Sequence, residues 1–306
     1  MDRPDGSRLL TVMLLVLAPV AVFAAMVAAD RLFGAPGRGL GYVVRIALPP
    51  AGGEIGLPRV LGPLDASRPL VVIDAGHGGH DPGAGTGAVK EKALTLAMAE
   101  ALRDALLARG GVRVALTRED DRFLVLPERA GIARRLKADL FISIHADSAA
   151  TEAARGATIY TLSERGSSES AARLAEAENR ADVVNGVALG GQSGAVNAIL
   201  VDLSQRATAA RSAEFAELVL REGAATVPFR ERSIQSAAFV VLKSADLPSV
   251  LVESGYISNG ADAARLGSAD GRKTFADALA RAVRIYFARQ SDPEAVAPAP
   301  SAAPSG

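Results

Sequence analysis

Three short runs in this chain are almost entirely apolar, and each leads into a residue able to grip a metal or carry a proton. The first, LVVIDA at 70–75, is followed by Gly76-His77. The second, DLFISIHA at 139–146, contains His145, and the third, PSVLVE, ends at Glu253. A strand that is apolar at every position must be buried on both faces. Between the runs lie helical patterns. Leu94, Met98, Ala101, Leu102 and Ala105 line one side of residues 88–109, and Gly110-Gly111 ends that stretch. Buried strands alternating with helices predict an α/β domain whose sheet is covered on both faces. Functional groups in such sheets collect beyond the carboxyl ends of the strands. His77, His145 and Glu253 all fall there.

The same reading expects further strands at 112–117, 157–162, 238–243 and 250–254. It expects helices at 126–136, with Pro127 in the first turn, and at 168–185, 193–222 and 270–289.

Composition narrows the chemistry. The chain has 306 residues, of which 49% are hydrophobic and 22% charged, enough for a sizeable core. Formal net charge is zero, which argues against a nucleic-acid partner recruited by bulk electrostatics. Cysteine is absent, so disulfides and thiolate zinc sites are excluded. Any metal must be held by carboxylates and the three histidines, His77, His80 and His145.

Residues 9–29 carry no charge and follow Arg3 and Arg8, the pattern of a secretory signal or a membrane anchor. The small residues Val27-Ala28-Ala29 and the helix-weakening Pro19 favour a cleaved signal over an inner-membrane anchor. Either way the remainder is expected to be exported, to the periplasm. Residues 30–68, rich in Gly and Pro, read as a linker or the remnant of an N-terminal segment, and 290–306 as a disordered tail. The catalytic domain is then expected at 69–289.

Two histidines and one glutamate, His77, His145 and Glu91, form a three-ligand set that zinc accepts while keeping one position open, as catalytic sites require. A further acid, Glu253, would take a proton from the attacking water. Other readings are weaker. The glycine-rich loop 74–84 lacks the GK[ST] and G-x-G-x-x-G patterns of phosphate cradles. Ser143, His145 and Asp147 share a strand face, but alternate residues of one strand point in parallel, and the elbow G-x-S-x-G is missing. Taken singly, Glu91 is a first-turn carboxylate favoured by the helix dipole, and Glu253 a partner for a buried arginine. Asp74 or Asp147 is expected to orient a ligand histidine, and His80 to be a loop residue.

The strings VIDAGHGGHDPGA, Glu91-Lys92, FISIHAD and LPSVLVESGYISN, spread over about 70–288, resemble the zinc-dependent N-acetylmuramoyl-L-alanine amidase family. The resemblance implies a six-stranded, mostly parallel sheet flanked by helices. It implies Zn2+ held by His77, Glu91 and His145, with Glu253 as the catalytic glutamate. The implied reaction is hydrolysis of the amide between N-acetylmuramic acid and L-alanine in peptidoglycan, for daughter-cell separation or wall turnover. The long segment at about 163–212 resembles the regulatory insert of the cell-division amidases, in which a glutamate occupies the zinc. Glu176 and Glu178 are the candidates, with Glu178 preferred. Resemblance also suggests a periplasmic activator with a LytM-type domain, and Val183, Val184, Val187, Ala198, Ile199 and Leu203 are expected either to offer it an apolar surface or simply to pack the insert down. Residues 30–68 are too short for the wall-targeting domain that larger members carry. The competing readings are a non-catalytic peptidoglycan-binding scaffold and a zinc peptidase acting on another exported amide.

Overall fold

The computed structural model describes residues 17–18, 21–22, 24–25, 56–85, 90–149, 151–184, 187–188, 198–244 and 246–291, without side chains for 182–184, 187–188 and 198–204. Most of the expected leader, linker and tail, the glycine-rich break of the insert and the side chains of its apolar surface therefore lie outside the described residues. The compact unit begins at Gly56. Its elements are β1 (Leu70–Ala75), α1 (Glu91–Arg109), β2 (Arg113–Leu116), α2 (Leu126–Arg135), β3 (Leu140–Asp147), β4 (Ala157–Leu162) and α3 (Glu169–Asn179). These are followed by β5 (Val183–Val184), β6 (Val187–Ala188), α4 (Ala198–Gly223), β7 (Phe229–Ala237), β8 (Ser249–Tyr256), α5 (Gly260–Gly267) and α6 (Ala269–Ser291).

Six strands form one sheet in the order β2-β1-β3-β8-β4-β7. β2, β1, β3 and β8 run parallel, whereas β4 is antiparallel to β8 and parallel to β7. The sheet is thus mostly parallel, as expected. The reversal brings the start of β4 and β7 to the edge where β1, β3 and β8 end.

Alternation along the strands sorts the residues into two layers. Val71, Ile73, Ile142, Ile144, Val250 and Val252 pack in one core with residues of α1, α4 and α6. Leu70, Val72, Phe141 and Leu251 pack in the other with residues of α2, α3 and a 3-10 turn at Val240–Leu242. Two residues further along this second face come Asp74, Ser143 and Glu253, and then His145. The period that buries the second core therefore delivers the polar residues to one place on the α2 and α3 side.

Several elements differ from expectation. The expected strand at 238–243 is instead the 3-10 turn, with Phe239, Val241 and Leu242 buried. The strand comes earlier, as β7, whose Glu231 and Arg232 are exposed. An edge strand needs no apolar run, so pattern reading passes over it. The closing helix falls where expected, as α6, but a short helix that was not expected, α5, precedes it across Ser268, and the Asn259 side chain caps α5 by accepting from the Asp262 amide at 3.1 Å. The α-helix expected to 185 stops at Asn179 and continues as a 3-10 turn. Leu61, expected in the linker, makes an antiparallel bridge to Val114 at the sheet edge. Finally, α4 carries the end of the insert straight into the core through Phe215, Leu218 and Val219.

One buried polar group ties β1, β2, β3 and α2 together. The Asp74 carboxylate pairs with Arg129 Nη1 at 3.0 Å and accepts from Thr117 Oγ1 at 2.6 Å and Ser143 Oγ at 2.8 Å. Burial would raise its pKa, but Arg129 and the two hydroxyls outweigh that and hold it below the usual carboxylate range. A depressed folded pKa stabilises the fold above the unfolded value of about 3.9 and ceases to do so as pH falls through the folded value. Asp74→Asn should therefore cost on the order of 3 kcal/mol at pH 7, by leaving Arg129 buried without its partner. In urea titrations the gap between parent and variant should narrow as pH falls towards 3; a constant gap would contradict this assignment.

Candidate metal centre

The turn after β1 is shaped by close approach. A Cβ at Gly76 would lie 2.5 Å from the His145 ring, so only glycine fits beneath that imidazole. His77 follows with φ 61°, a left-handed conformation that costs a non-glycine residue free energy. Two buried arginines hold it there. Arg129 Nη2 donates to the His77 carbonyl at 2.8 Å, and its Nη1 donates to that of Ala75 at 2.8 Å. Arg118 donates from Nε to the Ala75 carbonyl at 2.9 Å and from Nη2 to those of Gly76 and Lys92 at 2.8 and 2.9 Å. Arg118 and Arg129 are 1% and 2% exposed, and their guanidinia gather the carbonyls of Ala75, Gly76 and His77 where the strand ends.

His77 Nδ1 bonds Asp81 Oδ2 at 2.8 Å, which turns Nε2 towards the centre. Asp81 is fixed in turn by the Gly83 amide at 3.0 Å. His77 Nε2 lies 3.1 Å from Glu91 Oε2, and His145 Nδ1 lies 3.2 Å from Glu91 Oε1. Glu91 opens α1, and the Ala146 and Ala84 amides each donate to one of its oxygens at 2.8 Å. Glu178 enters from α3, its Oε2 at 3.4 Å from His77 Nε2 and 3.2 Å from His145 Nδ1. One atom each from His77, His145 and Glu178 lie within 4.8 Å of one another, a spacing that could hold a metal ion. Glu91 meets the two imidazoles through different oxygens, Oε2 on His77 and Oε1 on His145. Glu253 is the register partner of His145 on the neighbouring strand.

The structure thus brings His77, Glu91, His145, Glu253 and Glu178 together, whereas Glu176 is exposed. His80 stacks on Phe123 at 4.1 Å, as a loop residue. Neither expected orienting acid holds a histidine: Asp74 bonds Arg129, Thr117 and Ser143, and Asp147 accepts from the Ser148 amide at 2.6 Å. Asp81 holds His77 instead, and its position four residues after His77 in HGGHD was the available signal.

Among the described residues, the buried atoms His77 Nε2, His145 Nδ1 and both oxygens of Glu253 have no hydrogen-bond partner. Orphaned polar atoms are costly in a protein interior. Two imidazole lone pairs converging beside carboxylates form a donor set that fits zinc. The electrostatics agree. Burial lowers the pKa of His77, but Glu91 and Asp81 push it up to about 10. Burial likewise lowers His145, and Glu178 and Glu91 push it up to about 10. Glu91 is driven far down by both imidazoles against its burial. Glu253 is raised well above its ordinary value by burial and by Asp147, Glu91 and Glu178. The raised values of His77, His145 and Glu253 report carboxylates crowded into a buried site, where a dication would be accommodated, and the lowered value of Glu91 reports its contact with both imidazoles.

Fold and cluster together define an α/β domain with a histidine–carboxylate centre of the kind that metallohydrolases use. The chain belongs to the N-acetylmuramoyl-L-alanine amidase family, Amidase_3, which matches residues 71–284. It is 41% identical over 220 residues to N-acetylmuramoyl-L-alanine amidase AmiA of Escherichia coli K12, covering 71% of this chain and 76% of that one. It is 38% identical over 222 residues to AmiC of Neisseria meningitidis serogroup B, covering 72% of this chain and 53% of the relative. It therefore spans about half the length of the Neisseria protein and three quarters of the E. coli one. Among solved structures, AmiC2 of Nostoc punctiforme aligns with a TM-score of 0.52 at 30% identity, covering 72% of this chain and 98% of that one.

Asp81→Ala should weaken zinc binding roughly 10–100-fold, as loss of a group orienting a ligand histidine does. Competition with a chromophoric chelator measures this, and unchanged affinity would remove Asp81 from the assignment.

Proposed function

We propose that the chain is a zinc-dependent N-acetylmuramoyl-L-alanine amidase that cleaves the amide between N-acetylmuramic acid and L-alanine in peptidoglycan. The observation that carries this reading is the convergence of two unpartnered buried imidazole nitrogens on Glu91, with the equally unpartnered Glu253 one strand away. His77, Glu91 and His145 would hold the metal. Bound there, zinc would supply a Lewis acid for the scissile carbonyl and make water acidic enough to ionise near neutral pH. Glu253 would accept the proton of the attacking water and return it to the leaving amine of L-alanine. A raised pKa suits a group that must take up a proton and release it within one turnover. The backbone amides of Ala84 and Ala146 aim the Glu91 carboxylate.

Glu178 would act as a built-in stopper. Its carboxylate touches the same two nitrogens that the metal needs, from a helix capped by Ser168 and tied to the 3-10 turn by Asn179. Occupying the open position, it would exclude water and substrate until α3 moves. A partner opens the site only by binding the displaced form more tightly. A LytM-type activator is the partner proposed, acting in the periplasm during daughter-cell separation or wall turnover. Residues 1–29 would serve as signal peptide or membrane anchor, 30–68 as a linker whose last part, from Gly56, belongs to the compact unit, 69–289 as catalytic domain with its insert at 163–212, and 290–306 as tail.

A substitution tests the stopper better than deletion of the insert, because α4 runs without interruption through 212 and Ser212 accepts from the Ser249 amide at 3.0 Å. Zinc-loaded Glu178→Ala should release free stem peptides from purified sacculi at least tenfold faster than the parent. Adding Glu253→Gln should reduce that release by a factor of about 100 or more. If Glu178→Ala is folded and no faster, the stopper is wrong; if it frees no stem peptides at all, the amidase assignment is wrong.

A further inference from the structure

Because β7 is parallel to β4, and β4 antiparallel to β8, the first residues of β7 stand at the catalytic edge of the sheet. Thr158 of β4 is opposite Glu253, and Ala157 is opposite Phe229. The next residue, Arg230, is half-buried and reaches back past the start of β4 to β8. Its Nη1 donates to the Tyr256 hydroxyl oxygen at 2.6 Å, and its guanidinium carbon stands 5.4 Å from the centroid of that ring. Tyr256 lies three residues beyond Glu253 and is the register partner of Asp147. Among the described residues Arg230 forms no ion pair with any carboxylate. The remaining buried arginines differ: Arg129 pairs with Asp74, and Arg118 is filled by backbone carbonyls. Arg230 is thus a guanidinium braced by an aromatic ring, beside the centre, with donors left for a ligand.

We propose that Arg230, held by Tyr256, is a specificity residue that binds a free carboxylate on the peptide side of the substrate, about two residues beyond the scissile amide. This rests on the amidase reading above. The glycan side offers no equivalent anion, because the lactyl carboxyl of the muramic acid is consumed in the amide being cut. The distance follows from the sheet. From β8 to β7 is two inter-strand steps, roughly 10 Å, and an extended peptide advances about 3.3–3.6 Å per residue. The arginine side chain spans much of that distance, which leaves roughly one to two residues, and of these only the second can carry a free carboxyl beside the chain, because the first is alanine. A planar guanidinium fixed on a ring is suited to two-point recognition of a carboxylate and discriminates against the corresponding amide.

The test uses the full chain carrying Glu178→Ala, with and without Arg230→Met. The substrates are muramoyl-L-alanyl tripeptides whose second-residue carboxyl is free or amidated. The proposal expects the parent to have at least a tenfold lower KM for the free acid. Arg230→Met should raise that KM tenfold or more with kcat little changed, and should leave the amidated compound unaffected. Equal losses on both compounds would mean that Arg230 only supports Tyr256, and no loss on either would mean that it has no part; both overturn the proposal. Calorimetric binding of the two compounds needs no turnover. If nothing is cleaved, the amidase reading fails, and carboxylate recognition is still decided by whether the free acid binds at least tenfold tighter and loses that advantage in Arg230→Met.

Discussion

Buried carboxylates gathered around two imidazoles need positive charge at their centre, and that need governs this structure. Glu91 and Glu253 are each 1% exposed, and Glu178 and Asp147 stand close by. Without a cation, like charges in a poorly solvated interior repel and drive protons onto whichever group will take them. The raised pKa values of His77, His145 and Glu253 express that strain. A single dication would relieve it, and in the function proposed the same residues would become ligands and a proton acceptor rather than mutual liabilities.

The fold prepares this arrangement with rigid parts. Strand alternation carries the inner face from Leu70 and Val72 to Asp74, from Phe141 to Ser143 and His145, and from Leu251 to Glu253. In the turn to His77 the Gly76 amide still bonds β3, Arg118 and Arg129 bind the carbonyls, and Asp74 anchors Arg129. Reversal of β4 and β7 adds a second set of residues to the same edge, including Arg230. Preorganisation of this kind keeps catalytic groups in place without depending on loops.

Much of this was legible in the sequence because burial on both faces leaves an apolar run, and β1, β3 and β8 are such runs. The ends of those runs pointed to His77, His145 and Glu253. Glu91 stood out only in company with the two histidines, and Glu178 needed the family resemblance, since a helix carboxylate alone looks like any solvated or dipole-stabilised acid. Three things stayed hidden. The edge strand β7 has no apolar period to reveal it. The apolar stretch after it, Phe239 to Leu242, packs as a turn rather than a strand. Arg118 and Arg129 serve the site through backbone carbonyls, which leave no trace in the pattern of side chains. Asp81 was visible in HGGHD but passed over for Asp74, whose partners are Arg129 and two hydroxyls.

The account stands or falls on one ion at one point. Crystals of the full chain grown with zinc, with anomalous diffraction collected on both sides of the zinc edge, test it directly. The expected map has one strong peak in contact with His77 Nε2, His145 Nδ1 and a Glu91 oxygen, with Glu178 at the remaining position. A map with no peak there, or with zinc held only by other residues, would contradict it.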